Sequence, residues 1–185
     1  MNMIVTSLLT GLSFVALAVS AQGVLPAAGG PYIISSITPG NVDSQFLTVA
    51  NSQTLPGTAI ITTFLTGIPP QNNQLWFLTK LGDDESFGIY KFQSALGSLV
   101  NFGMGVQDQA PAVVSPGGSV FNVSTTSVNG QFTIGVVNAF STPTFNSGLV
   151  VTSMSQDIAP GQRAQSSALT AGNTAQMWSI RLAPN

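Results

Sequence analysis

The sequence predicts an all-β domain built from three similar units of about 50 residues each. Three observations carry this expectation. From Tyr32 onward, short runs rich in Val, Ile, Thr and Phe alternate with period two, as in Phe132, Ile134 and Val136. Turn signals interrupt the runs at short intervals: Pro39-Gly40, Pro56-Gly57, Pro69-Pro70, Pro116-Gly117-Gly118, Asn129-Gly130 and Pro160-Gly161. Finally, the pattern recurs. Gln74-Leu75-Trp76 and Gln176-Met177-Trp178 match each other, with the tryptophans 102 positions apart (178 − 76), close to twice one unit.

The middle unit has no tryptophan in the corresponding slot. Ser119-Val120-Phe121-Asn122-Val123 is the strand that fits there, with Phe121 in place of Trp. Opening strands repeat as Tyr32-Ile33-Ile34, Phe87-Gly88-Ile89-Tyr90 and Phe132-Thr133-Ile134; the middle one alternates as Phe87, Ile89 and Lys91 or, one register over, as Tyr90 and Phe92. A second set runs Phe46 to Val49, Phe102 to Val106 and Leu149 to Val151, and a third pairs Pro56 to Ile60 with Pro160 to Ala164. Asn129-Gly130, between two β-prone segments, reads as a hairpin turn. No long amphipathic pattern marks a helix after Gln22. The domain is expected to span 31–185, with repeats of four strands at about 31–84, 85–129 and 130–185, after a flexible lead-in over 22–30.

Met1 to Ala21 contains no charged side chain. It holds an apolar stretch from Leu8 to Val19 and ends in small residues, Val19-Ser20-Ala21. It reads as a secretory signal peptide over 1–21, cut after Ala21. The expected location is therefore extracellular or in a cell wall, with no membrane span left after cleavage. Only 5% of residues are charged, against roughly 25% in an average soluble chain. Four scattered cations (Lys80, Lys91, Arg163 and Arg181) cannot form the basic face that nucleic acid requires. The absence of His and Cys removes the usual general base, the usual zinc ligand and any thiolate nucleophile. The acids are Asp43, Asp83, Asp84, Glu85, Asp108 and Asp157, and their spacing pairs no two across one cleft. The expectation is no catalytic residue, no cofactor and no metal. Asp83-Asp84-Glu85 reads as a solvated turn rather than a calcium site.

With its Gln-x-Trp motifs at twice the repeat length, the chain resembles the ricin-B-type lectins over nearly all of the region after the lead-in. That resemblance implies a β-trefoil, in which six strands close a short barrel and three hairpins cap it. It also implies that Gln74, Trp76, Phe121, Gln176 and Trp178 mark the fold. The ring fills the core and the glutamine satisfies backbone groups that would otherwise be buried unpaired. A sugar-binding repeat of that family carries an Asp on its Leu-x-Val strand. The matching slots here hold Thr48, Gly105 or a neighbour, and Val151 or Thr152. Asn72, Asn73 and Asn173 precede the Gln-x-Trp motifs and are candidate ligand contacts. Phe145, with Phe140 across Pro143, is a candidate for stacking.

The order of features also looks like that of the mycocypins, β-trefoil inhibitors of cysteine proteases from mushrooms. Gln74-Leu75-Trp76, Ile89 to Phe92, Ala110-Pro111 and Trp178-Ser179-Ile180-Arg181 carry this second resemblance. It implies contact through the loops Asn51 to Gly57, Gly67 to Asn73 and Thr142 to Ser147. Asn122-Val123-Ser124 is a glycosylation sequon; Asn122 is expected to face outward if Phe121 and Val123 face inward. The function expected first is binding of glycans without catalysis. A protein partner such as a protease is the alternative.

Overall fold

A computed structural model describes residues 24–37, 45–84, 86–137, 146–154 and 161–184. Twelve strands follow one another among them. They are β1 (Gly29–Ser36), β2 (Phe46–Val49), β3 (Ile60–Thr63), β4 (Trp76–Asp83), β5 (Phe87–Ser94) and β6 (Asn101–Gly103). The rest are β7 (Val113–Ser115), β8 (Phe121–Thr125), β9 (Phe132–Val137), β10 (Asn146–Ser153), β11 (Gln162–Ala168) and β12 (Trp178–Leu182). All pairings between strands are antiparallel. β1 pairs β4, β4 pairs β5, β5 pairs β8, β8 pairs β9, β9 pairs β12 and β12 returns to β1. Six strands thus close a barrel with no free edge. The hairpins β2–β3, β6–β7 and β10–β11 cap one end. They touch in a triangle: β3 meets β11 at Ile61–Arg163, Ala59 bridges Val113, and Pro111 bridges Gln165. The molecule is a β-trefoil.

Register fixes which residues are equivalent. The last strand of each repeat opens on an aromatic residue opposite another on the first strand: Trp76 faces Tyr32, Phe121 faces Tyr90, and Trp178 faces Phe132. Phe121 therefore occupies the tryptophan position. The middle opening strand, however, aligns on Tyr90 and not on Phe87. Along β5 it is Gly88, Tyr90, Phe92 and Ser94 that are buried, so the strand takes the register that puts Tyr90 and Phe92 inside. Six large rings and indoles fill the barrel: Trp76, Trp178, Tyr90, Phe92, Phe102 and Phe121, none more than 2% exposed. Each such side chain removes ~150–250 Å² from water. At ~25 cal/mol per Å² that is a gross gain of about 4–6 kcal/mol apiece, an upper bound set by the unfolded reference.

The lead-in expected to be flexible over 22–30 is tied to the barrel in its described part. Leu25 packs on the core and Pro26 is buried. The Tyr90 hydroxyl donates to the Pro26 carbonyl at 2.6 Å, and that of Tyr32 to Ala27 at 3.1 Å. Two phenols inside an apolar barrel need acceptors, and the backbone of this segment supplies them. Asn122 also departs from expectation. It is 7% exposed, on β8 between Ile89 of one neighbouring strand and Gly135 of the other. Its Oδ1 accepts from Ser124 Oγ at 2.6 Å. The folded chain leaves little room for a glycan there.

Candidate functional site

The two Gln-x-Trp motifs build nearly identical networks. Gln74 Oε1 accepts from the Thr66 amide (2.9 Å) and hydroxyl (2.8 Å), while Nε2 donates to Thr48 Oγ1, Thr63 Oγ1 and the Phe64 carbonyl. Gln176 Oε1 accepts from the Thr170 amide (2.8 Å), and Nε2 donates to Thr152 Oγ1, Ser167 Oγ and the Ala168 carbonyl. Trp76 Nε1 donates to Leu47 O at 2.9 Å and Trp178 Nε1 to Val151 O at 2.8 Å. Both glutamines are at most 1% exposed. All four side chains are buried; the glutamines pin the loop that precedes the last strand of their repeat, and the indoles tie that strand to β2 and β10.

The slots that would carry the family's Asp fall on Thr48, Gly103 and Thr152 by register: they pair Ile61, Val113 and Gln165, each one residue past a fully buried Ile60, Ala112 or Ala164. In the middle repeat the slot is thus Gly103, two residues before Gly105. Thr48 and Thr152 are 4% and 7% exposed, and their hydroxyls already receive the glutamine amides. No carboxylate stands at any of the three. The candidate asparagines separate. Asn72 is exposed, and its carbonyl accepts from Ser94 Oγ at 3.3 Å. Asn73 is 8% exposed, with Nδ2 donating to Val49 O at 3.2 Å and Oδ1 buried without a hydrogen-bond partner. Asn173 caps the short 3-10 turn Thr174–Gln176 through Oδ1, which accepts from Ala175 N at 3.0 Å. Phe140 and Phe145 lie outside the described residues, as do Asp43, Glu85 and Asp157.

Asn173 also borders a groove of about 430 Å³ between the second and third repeats. One wall is the loop from Leu169 to Asn173, held from behind by Gln176. The other is the end of β8 and the start of β9: Thr125, Thr126 and Thr133. None of the lining residues is charged. The hydroxyls are unequally committed. Thr126 Oγ1 donates to Val128 O at 3.1 Å and accepts from Val128 N at 3.2 Å. Among the described residues the Thr125 and Thr170 hydroxyls make long bonds of 3.4 Å, to Ser86 O and Ala168 O. Leu169, half exposed, supplies an apolar surface beside them. Such a site offers hydroxyl and amide hydrogen bonds around an apolar patch, with no charge to move a proton or bind an ion.

Sequence reasoning missed the threonines of this groove. The only available signal was Thr125-Thr126 ahead of Asn129-Gly130, and it gains meaning only when barrel closure brings a loop more than 40 residues away against it. Among the described residues no three His, Cys, Asp or Glu side chains gather as a metal site. Asp83 is engaged by Lys80, and that hydrogen bond holds the ammonium above its ordinary pKa.

No family model matches the chain, and no curated protein matches it by sequence. Solved structures do. The Rhizoctonia solani agglutinin is 16% identical, with a TM-score of 0.64 over 86% of this chain and 99% of its own. A designed three-fold symmetric protein, ThreeFoil, is 18% identical at 0.62, over 81% and 97%. The Macrolepiota procera ricin B-like lectin, solved in complex with lactose, is 18% identical at 0.61, over 86% and 99%. At these identities the likeness is one of fold: the chain is a β-trefoil matching those of ricin B-like lectins.

Proposed function

We propose that this chain is a secreted, non-catalytic carbohydrate-binding protein that takes a neutral glycan in the groove between its second and third repeats. One observation carries the reading: an uncharged, threonine- and asparagine-lined groove of about 430 Å³ stands against a loop pinned by Gln176. Ligand sites are commonly roughly 300–1,000 Å³, with a few fixed polar groups around an apolar lining. Support from outside the chain comes from the fold, which it shares with a lectin solved with lactose and an agglutinin. The experiment is a glycan array with the chain beginning at Gln22. Binding to neutral glycans, little affected by salt, is expected, with no hydrolysis of the bound glycan. An array on which only sialylated or sulfated glycans score would overturn the assignment of this groove. N-terminal sequencing of the protein recovered from culture medium tests secretion, with Gln22 expected first.

A second reading, inhibition of a protease through an exposed loop, is favoured by one feature. The loop Asn51 to Gly57 is exposed throughout, yet it is held by Gln53 N to Ala50 O, Thr58 N to Leu55 O and Gly57 N to Val114 O. Leu55 stands at its tip, 68% exposed. A rigid loop with an apolar tip is suited to entering a protease cleft, since little ordering entropy is lost on binding. Inhibition of a papain-like protease that is abolished by Leu55→Asp would move this reading to first place.

A further inference from the structure

The barrel registers make it possible to compare one position in all three repeats. Thr133 lies opposite Ser124, one step along the ladder from Thr125 opposite Phe132. The same ladder positions are Lys91 opposite Thr79 beside Lys80 opposite Tyr90, and Ile33 opposite Arg181 beside Leu182 opposite Tyr32. Thr133, Lys91 and Ile33 are therefore equivalent, as are Thr125, Lys80 and Leu182.

The three places differ in chemistry and in their loops. In the third repeat, Thr133 faces the loop that Gln176 holds open beside it, and the groove results. In the second repeat only residues 116–120 join β7 to β8, and no glutamine is available to hold a loop. Lys91 Nζ donates to the Gly117 carbonyl at 3.1 Å, so the side chain spans the space where the groove would be. In the first repeat the position is apolar. Ile33 is 4% exposed, Pro70 of the facing loop is buried, and the neighbouring Ala183 amide is used by Pro31 O at 2.9 Å. A hydroxylated ligand gains nothing against an isoleucine that offers no donor or acceptor. It would also have to displace an ammonium already bonded to backbone in the second.

We infer that the residue at this one position (Thr133, Lys91 or Ile33) decides which repeat binds sugar, and that only the third does. The protein is then a single-site binder that does not cross-link glycans. This inference rests on the carbohydrate reading and sharpens it.

The test is a titration of the isotope-labelled chain from Gln22 with lactose, N-acetyllactosamine, cellotriose and chitotriose, read by backbone amide NMR. The expected result is one set of shifts, at 125–126, 133 and 169–177, saturating at one equivalent with at least one of these sugars. Thr133→Ile should reduce affinity at least tenfold with the remaining spectrum unchanged, and a multivalent conjugate of the same sugar should bind without precipitating. Shifts at 33 and 182–183, or at 80–81 and 91, or saturation at two or more equivalents, would overturn the single-site inference while leaving sugar binding intact. No shift with any of the four would remove both. Full affinity in Thr133→Ile would remove the role assigned to that position.

Discussion

The second and third repeats solve the same packing problem with different residues. In the third, Trp178 fills the barrel and bonds to Val151 O, and Gln176 two residues earlier organises the loop outside. In the second, Phe121 stands at the tryptophan position and Ser119 at the glutamine position. Ser119 Oγ accepts from the Met104 amide (2.9 Å) and donates to the Met104 carbonyl (3.0 Å). The volume lost from Trp to Phe is made up at the facing position. Where the first and third repeats have Leu47 and Val151, the second has Phe102, whose ring centroid lies 4.6 Å from that of Phe121. Phe92 adds to the same cluster at 5.3 Å from Phe121. The core thus stays filled without the indole, as close packing demands. What the second repeat gives up is the polar half of the motif, and with it the long loop and the groove.

This contrast can be broken or sharpened by four measurements. The largest effect is expected from Trp178→Ala. Emptying a fully buried indole site should destabilise the protein by ~3–5 kcal/mol in urea unfolding, and a loss under 1 kcal/mol would mean the third repeat does not depend on its tryptophan. Next is Gln176→Leu. It leaves the Thr170 amide and the Ala168 carbonyl without their partner, at about 1–3 kcal/mol for each group that water cannot reach, and it should also release the 169–173 loop to faster amide exchange. Unchanged exchange in that loop would show that the groove does not need the glutamine.

The third measurement copies the second repeat into the third. Trp178→Phe and Val151→Phe should each destabilise by ~1–3 kcal/mol, one by a cavity and one by overpacking. Together they should cost less than their sum by at least ~1 kcal/mol in a double-mutant cycle, and strict additivity would refute the compensation argument. The smallest effect concerns Tyr90, the residue that takes the opening aromatic position in the second repeat. Tyr90→Phe should cost about 1 kcal/mol through the bond to Pro26. Burial raises the Tyr90 phenol above its ordinary value of 10.0. The neutral form is therefore favoured by folding, its stabilisation is complete below pH 10 and fades as pH rises through the raised value. Thermal melts should show wild type losing its advantage over Tyr90→Phe above that pH. An advantage constant to high pH would mean that the phenol ionises without disturbing the barrel.

Much of the fold was legible in the chain. Two Gln-x-Trp motifs at twice the unit length, with period-two strands and turn signals between, lead to three repeats of four strands. Phe121 could be placed as the third core residue although it is not a tryptophan. Where the reading slipped, the cause was local ambiguity. Phe87 and Tyr90 both begin plausible alternations on β5, and only pairing with β8 and β4 puts Tyr90 inside. Asn122 alternates with Phe121 and Val123, which predicts an outward side chain. Alternation cannot say whether the outer face of a strand is itself covered, and at Asn122 it is. The candidate site was less legible still. Asn173 was found through its motif, whereas Thr125, Thr133 and Leu169 carry no local signature of binding.

By itself the sequence determined the all-β class, the three-fold repetition and the low content of charge. These follow from composition and from periodicities of two and about fifty residues, which are properties of a chain read in order. The tertiary structure alone decided which repeat keeps a groove, which segment accepts the bonds of the buried tyrosines, and which outer faces stay open. Those depend on barrel closure, which sets Thr133 against a loop about 40 residues downstream and the Pro26 carbonyl against a phenol 64 residues away.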